Sequence, residues 1–334
     1  MMILKRRITA FFLSVLTVCV ATDGYGFFGA KLEPPDGMVY HGAQAEVRPE
    51  SITNYTVDWT GIEEYTKACG KRPKLIMHYT SFDERAYALL KTAIYEISQK
   101  EYSYIPQIGL DFYNYGYNPS VMSPNDITKE IVSGKYDEQI KDLAGFFRKM
   151  KASIFLRPGY EFGGTGQGSR ASKVYWVKAW RKIYDIFQEE NANNVAFVWN
   201  TLDAGDFMDY YPGDSYVDWW AINIFENNAD QNQFVNNFIQ QAAVHHKPVM
   251  IAESTPRRIG SIRGQYAWDN WYRPYVKLIL KYPHVKAFCY INASWKAYPD
   301  TSFAFDCRIQ SDKVVAAQYQ KMLSDKRFIN ADKK

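Results

Sequence analysis

Residues 153–164 read SIFLRPGYEFGG: the apolar run Ile154, Phe155 and Leu156 leads directly into Arg157, Pro158, Gly159, Tyr160 and Glu161. An apolar run this short, closed by Pro and Gly, predicts a strand over 153–157 buried on both faces; a helix needs about ten residues or more. Seven further segments have the same form, at 37–41, 74–79, 105–111, 195–199, 218–225, 248–252 and 285–292. Between them the apolar residues fall at helical spacing. In 85–100 these are Ala88, Leu89, Leu90, Ile94 and Ile97, and in 126–149 Ile131, Ile140, Leu143 and Phe147. Helices are also predicted at 171–189, 231–245, 270–282 and 313–324. The connection 201–217 is short and carries Gly205, Pro212 and Gly213, which argues against a full helix there. Eight strands alternating with about seven helices predict an α/β chain folded as one (β/α)8 barrel. An open doubly wound sheet is the structural alternative. No linker, repeat or low-complexity segment divides the chain.

In a barrel of this kind, chemistry collects at the C-terminal ends of the strands. Glu161 follows the fourth strand. Glu253 follows the seventh, where an apolar run gives a charge no structural reason to be. Closure would bring the two to one cavity although 92 positions separate them. Two carboxyls facing across a polar cavity are what glycosidic bond cleavage requires, one to donate a proton and one to stabilise or capture the anomeric carbon. One such Glu is commonly a helix cap or an arginine partner. Two of them, at strands four and seven, favour chemistry.

The local strings resemble those of glycoside hydrolase family 26, a clan A family that includes β-mannanases and enzymes of mixed-linkage glucan and β-1,3-xylan. RPGYEFGG (157–164) is similar to its acid/base motif, NVAFVWN (194–200) to its fifth strand and YYPGDSYVDWWAINIF (210–225) to the segment entering its sixth. KPVMIAEST (247–255) resembles its nucleophile strand, and YINASW (290–295) its eighth. The resemblance implies a retaining endo-β-glycosidase with Glu161 as acid/base and Glu253 as nucleophile. It also implies that Arg157 helps keep Glu253 ionised and that Trp295 stacks under a sugar, with Trp199 and Asn200 lining the floor. Two positions depart from the family pattern. Tyr160 stands where many members have His, and Phe225 where many have a Tyr close to the nucleophile; both changes bear on substrate identity and argue against a typical β-mannanase. His41, His78 and Asp111 lie at or near the ends of strands one to three, where sugar contact and polar packing are equally compatible with position. A carbohydrate-binding protein without catalysis on the same barrel is the alternative function, and the presence of both glutamates disfavours it.

Lys5-Arg6-Arg7 followed by an apolar run to Ala21 is the layout of a secretory signal peptide over 1–21, predicting an exported or periplasmic chain over 22–334. The run is shorter than the roughly 20 residues a spanning helix needs, and no later segment is long and apolar enough. Setting aside those three basic residues, charge is nearly balanced and no basic stripe appears, which excludes a nucleic-acid partner. Aromatic residues make up 16% of the chain, a surplus that suits stacking on sugar rings. Cys69, Cys289 and Cys307 match no zinc spacing; one bridge involving Cys69 or Cys307 is open, whereas Cys289 reads as a small buried hydrophobe. No metal or cofactor is expected. The Gly-rich run 163–168 lacks a phosphate-loop ending, and His245-His246 reads as a helix C-terminal contact. Asn54 and Asn292 fit glycosylation sequons. A monomer is the default.

Overall fold

The computed structural model describes residues 28–45, 57–114, 125–163, 172–202, 205–296 and 301–334. The leader expected at 1–21, the sequon at Asn54 and most of the Gly-rich run (164–168) lie outside them. Strands β1 (Val39–Ala45), β2 (Leu75–Thr80), β3 (Ile105–Leu110) and β4 (Ile154–Pro158) pair in parallel in chain order. β5 (Val195–Thr201), β6 (Trp219–Ile224), β7 (Val249–Ser254) and β8 (Val285–Asn292) continue the series. β8 then returns to pair with β1, from Tyr40 opposite Ala287 to Ala45 opposite Asn292, and closes the barrel. A short strand, β9 (Phe328–Ile329), lies parallel to the start of β1.

The near-continuous apolar strands follow from burial on two faces. Alternate side chains such as Met77, Phe155, Val198 and Met250 fill the barrel interior. Their neighbours Ile76, Leu156, Phe197 and Ile251 face the surrounding helices. The helices are α1 (Trp59–Cys69), α2 (Glu84–Gln99), α3 (Asp137–Met150), α4 (Lys173–Glu189), α5 (Ala229–Val244), α6 (Arg273–Lys281) and α7 (Lys313–Leu323). Asp58, Asp83, Asn228 and Asp312 each cap a first turn by accepting backbone N–H donors.

Several boundaries differ from those expected, each for a local reason. β1 starts after Gly37, which turns at φ 71°, and runs on to Ala45. It passes through Gly42 because a Cβ there would lie 2.4 Å from Cys289 Sγ and 2.8 Å from Leu75 Cβ. The helix expected over 126–149 is broken: Thr128–Ser133 ends at Gly134, which takes a left-handed φ of 95°, and α3 begins again at Asp137. The helix expected at 270–282 begins earlier, at Gln265, and passes through a π-turn at Trp268–Tyr272 before α6. α1 was not foreseen. Between β5 and β6 the chain makes 3₁₀ turns at Phe207–Tyr210 and Asp214–Tyr216, in keeping with its Gly and Pro content. Cys69, Cys289 and Cys307 are all buried and unpaired, so the bridge left open for Cys69 or Cys307 is not made. Asn292 is buried, its side chain accepting from Ile309 N and donating to Gln310.

The base of the barrel is sealed by its own N-terminal segment. Ala30 and Leu32 pack on the interior cluster. Lys31 Nζ donates to the Val195 carbonyl at 2.9 Å and its own carbonyl accepts from Trp219 Nε1 at 2.8 Å. Phe28 stacks on His284 with ring centres 5.2 Å apart, and buried Lys286 meets Asp36 at 3.4 Å.

Candidate active site

The end of β4 is shaped by backbone conformation. Gly159 turns at φ 54°, a position where a Cβ would strike Phe112 and Trp176. Glu161 itself takes φ 56°, a left-handed conformation that costs a residue with a Cβ. Its two neighbours in space hold it there: the Glu161 N–H donates to the Asn200 carbonyl at 3.0 Å, and Phe162 bridges to Thr201 of β5. The Phe162 ring is buried against Trp176 and Trp199, at 4.7 and 4.8 Å between centres. An aromatic anchor one residue downstream thus keeps the carboxylate aimed into the mouth.

Glu253 is aimed by a bulge. Along β6 and β7, Ile222 faces Ile251 but the next residue, Asn223, faces Glu253, so Ala252 is the extra residue. From across the barrel, buried Gln107 of β3 donates to the Ala252 carbonyl at 3.3 Å. The shift turns Glu253 onto the interior face, where it is 5% exposed.

Three side chains connect the glutamates. Arg157 Nη1 donates to Glu253 Oε1 and to Asn200 Oδ1, both at 2.7 Å. Asn200 Nδ2 donates to Asn223 Oδ1 at 3.2 Å, and Asn223 Nδ2 donates to Glu161 Oε1 at 2.8 Å. The two carboxylates therefore occupy unlike surroundings. Removal from water pushes the Glu161 carboxyl up to about 8, the charge of Glu253 adds to this, and Asp111 contributes further; the Asn223 donor and Arg157 oppose it. Glu253 meets the buried guanidinium directly.

Of the residues expected at the site, Arg157, Tyr160, Asn200 and Asp111 lie with the glutamates around this mouth. Phe225 and Trp295 stand beside Phe303, each with ring centres 5.4 Å from it, and make an aromatic wall. Trp199 does not line the floor. Strand alternation turns it outward, where it is fully buried against Trp220 and Phe162 and donates to the Tyr210 carbonyl. His41 is also turned outward: β1 begins later than expected, which sets it low on the strand. Its ring bonds Asn330 Oδ1 at 2.9 Å and the Tyr65 hydroxyl at 2.7 Å, and burial pushes it down to about 4. His78 alternates onto the same outer face as Ile76. His245 caps α5 and bonds Asp214 at 2.8 Å.

The family model for glycosyl hydrolase family 26 matches residues 138–272, which span both glutamates and the whole Arg157–Asn200–Asn223 chain. Over that segment the chain is similar to glycoside hydrolase family 26. Among curated proteins, this chain is 26% identical to the β-1,3-xylanase TXYA of a Vibrio species over 238 residues, covering 62% of this chain and 51% of that one. It is 26% identical to a β-1,3-xylanase of an Alcaligenes species over 239 residues, covering 63% and 50%. The chain thus spans about half the length of these relatives. Among solved structures it resembles a family 26 β-mannanase from Bacteroides ovatus, with TM-score 0.62, 17% identity and coverage of 88% and 90%. It also resembles the endo-β-1,4-mannanase catalytic domain of Bacillus sp. JAMB-750, with TM-score 0.63, 14% identity and coverage of 88% and 87%. These likenesses concern the barrel.

At the two positions where this chain departs from the family pattern, the surroundings differ as well. Phe225 has no hydroxyl to offer Glu253. Tyr79, at the end of β2, presents one instead, and its hydroxyl titration is pushed well up by burial and by the Glu253 charge. Sequence reasoning missed Tyr79. Its signal was available: it alternates with Leu75 and Met77, which fill the interior.

Proposed function

We propose that the chain is a secreted, retaining, endo-acting β-glycosidase that cleaves a β-linked polysaccharide, with β-1,3-xylan the first candidate. The observation that carries this reading is the asymmetry of two linked carboxyls: Glu161 pushed up to about 8, and Glu253 held at 2.7 Å by Arg157. Double displacement needs that division, a proton donor beside an ionised nucleophile. In the first step Glu161 gives its proton to the glycosidic oxygen as that bond breaks, and Glu253 attacks the anomeric carbon to form a glycosyl ester. In the second, Glu161, now a carboxylate, takes a proton from water, the water oxygen bonds to the anomeric carbon, and Glu253 leaves. The wall of Phe225, Trp295 and Phe303 supports sugar stacking next to this centre. Two relatives named as β-1,3-xylanases favour that substrate, and the mannanase structures keep β-mannan in the comparison. The basic and apolar leader supports export; among the described residues no helix is long and apolar enough to cross a membrane.

Incubation with β-1,3-xylan, β-mannan, mixed-linkage glucan and bacterial exopolysaccharides, with products read by mass spectrometry, tests the reading. Oligosaccharides of several lengths are expected, absent with Glu253→Gln, and proton NMR of the first product should show retained anomeric configuration. An inverted first product would overturn the double displacement. Binding without products on every glycan would favour a carbohydrate-binding role.

A further inference from the structure

The interior layer at the level of Arg157 has a gap in it. The register places Tyr79 of β2, Gly109 of β3 and Arg157 of β4 side by side. Strands lie about 4.8 Å apart, so the outer two of such a trio meet only if the middle residue leaves the space open. Gly109 does so: a Cβ there would lie 2.8 Å from Tyr79 Cδ1 and 3.0 Å from Tyr160 Cε1. Into that space come the two rings, 5.4 Å apart at their centres and inclined by 40°. Arg157 Cζ lies over both, 5.5 Å from the Tyr79 centre and 5.0 Å from that of Tyr160.

The hydrogen bonding of Arg157 is one-sided. Both contacts made by its guanidinium, to Glu253 and Asn200, leave from Nη1. Nε and Nη2 are buried and have no hydrogen-bond partner among the described residues. A buried guanidinium with idle donors is costly and free to tilt, unless ring faces supply the missing attraction and fix its plane.

We infer that Tyr79 and Tyr160, admitted by the bare backbone of Gly109, form an aromatic cradle that fixes the Arg157 guanidinium so that Nη1 meets Glu253. Tyr79 and Tyr160 are thereby positioning residues for the reaction proposed above, and their kinetic role rests on that reading. The ring holds the cation, while the Tyr79 hydroxyl, facing Glu253, adds a second contact to the same carboxylate.

The test uses Gly109→Ala, Tyr79→Leu and Tyr79→Phe, with folding checked by thermal melts. The first readout needs no activity. The Arg157 Hε proton signal, assigned with Arg157→Lys, should be displaced by the ring currents of the two tyrosines. It should return toward its ordinary position in Gly109→Ala and Tyr79→Leu, and stay displaced in Tyr79→Phe. An unchanged signal in both Tyr79→Leu and Gly109→Ala overturns the cradle; if Gly109→Ala fails to fold, Tyr79→Leu alone decides. The second readout is kinetic. Displacing the guanidinium should lower kcat by roughly 10- to 100-fold, with KM little changed and the acid limb of kcat/KM moved to higher pH. A moved Arg157 signal with unchanged kcat and pH profile overturns the positioning role. If the wild type cleaves no glycan, the proposed reaction falls, and the Arg157 signal still decides the cradle.

Discussion

Asn200 and Asn223, on adjacent strands, share a hydrogen bond of 3.2 Å, and through it the Glu161 end of the site is joined to the Arg157 end. The Asn200 amide accepts from Arg157 while Asn223 donates to Glu161, so a change at either asparagine reaches a carboxylate.

Asn223→Ala removes a donor that favours the charged form of Glu161. The Glu161 carboxyl then holds its proton to higher pH, and the alkaline limb of kcat/KM should move upward with a lower maximum. Rate profiles of wild type and variant check this. A limb that stays or moves down would contradict the role of the bond.

Glu161 also makes the protein less stable as pH rises. From about 4.5, the ordinary value, to about 8, the folded chain keeps a proton that the unfolded chain has lost, so stability declines across that window. Glu161→Gln removes the decline and keeps an oxygen for Asn223. It should melt several degrees above wild type at pH 8, with the gap closing toward pH 4.5, as scanning calorimetry would show.

His41 acts in the opposite direction. Its folded value of about 4 lies below the ordinary 6.5, so stability is fully present above pH 6.5 and lost as pH falls toward 4. His41→Gln, which can still bond Asn330 and Tyr65, should show a flatter melting-temperature profile over that range. A profile parallel to wild type would count against the buried neutral ring.

Trp199 and Trp295 separate packing from binding. Trp199→Ala should lower stability by about 3–5 kcal/mol in denaturant melts, since a fully buried indole leaves a cavity. Trp295→Ala should leave the melt closer to wild type and raise KM roughly 2- to 10-fold, as expected for a stacking contact worth about 0.5–1.5 kcal/mol. The reverse pattern would place Trp199 at the sugar.

The barrel and its two glutamates were legible because each rests on a local pattern: short apolar runs, with charge only at their ends. Period two, followed strictly, also separates Asn200 from Trp199 and Tyr79 from His78. Reading whole strand ends as mouth residues blurred that distinction. His41 was misplaced for a different reason, since the start of β1 depends on Gly42 fitting against Cys289 and Leu75 of its neighbouring strands. The bulge at Ala252 left no mark that a single sequence displays, because it arises from the register between β6 and β7. The Tyr79–Gly109–Arg157 row is equally a matter of three strands side by side. Local runs predict elements; relations across strands set the chemistry.

The seal at the base of the barrel has a consequence for how the chain is made. Lys31 waits for Val195 and Trp219, and Asp36 waits for Lys286, while β1 gains its second neighbour only when β8 arrives. A chain growing toward its C-terminus therefore carries an unfinished edge and an open floor until β8 (Val285–Asn292) has been synthesised. Contacts of such long sequence separation form late and slowly. Until then the polypeptide carries an unpaired strand edge and an uncovered floor, a state that a protease can still cut.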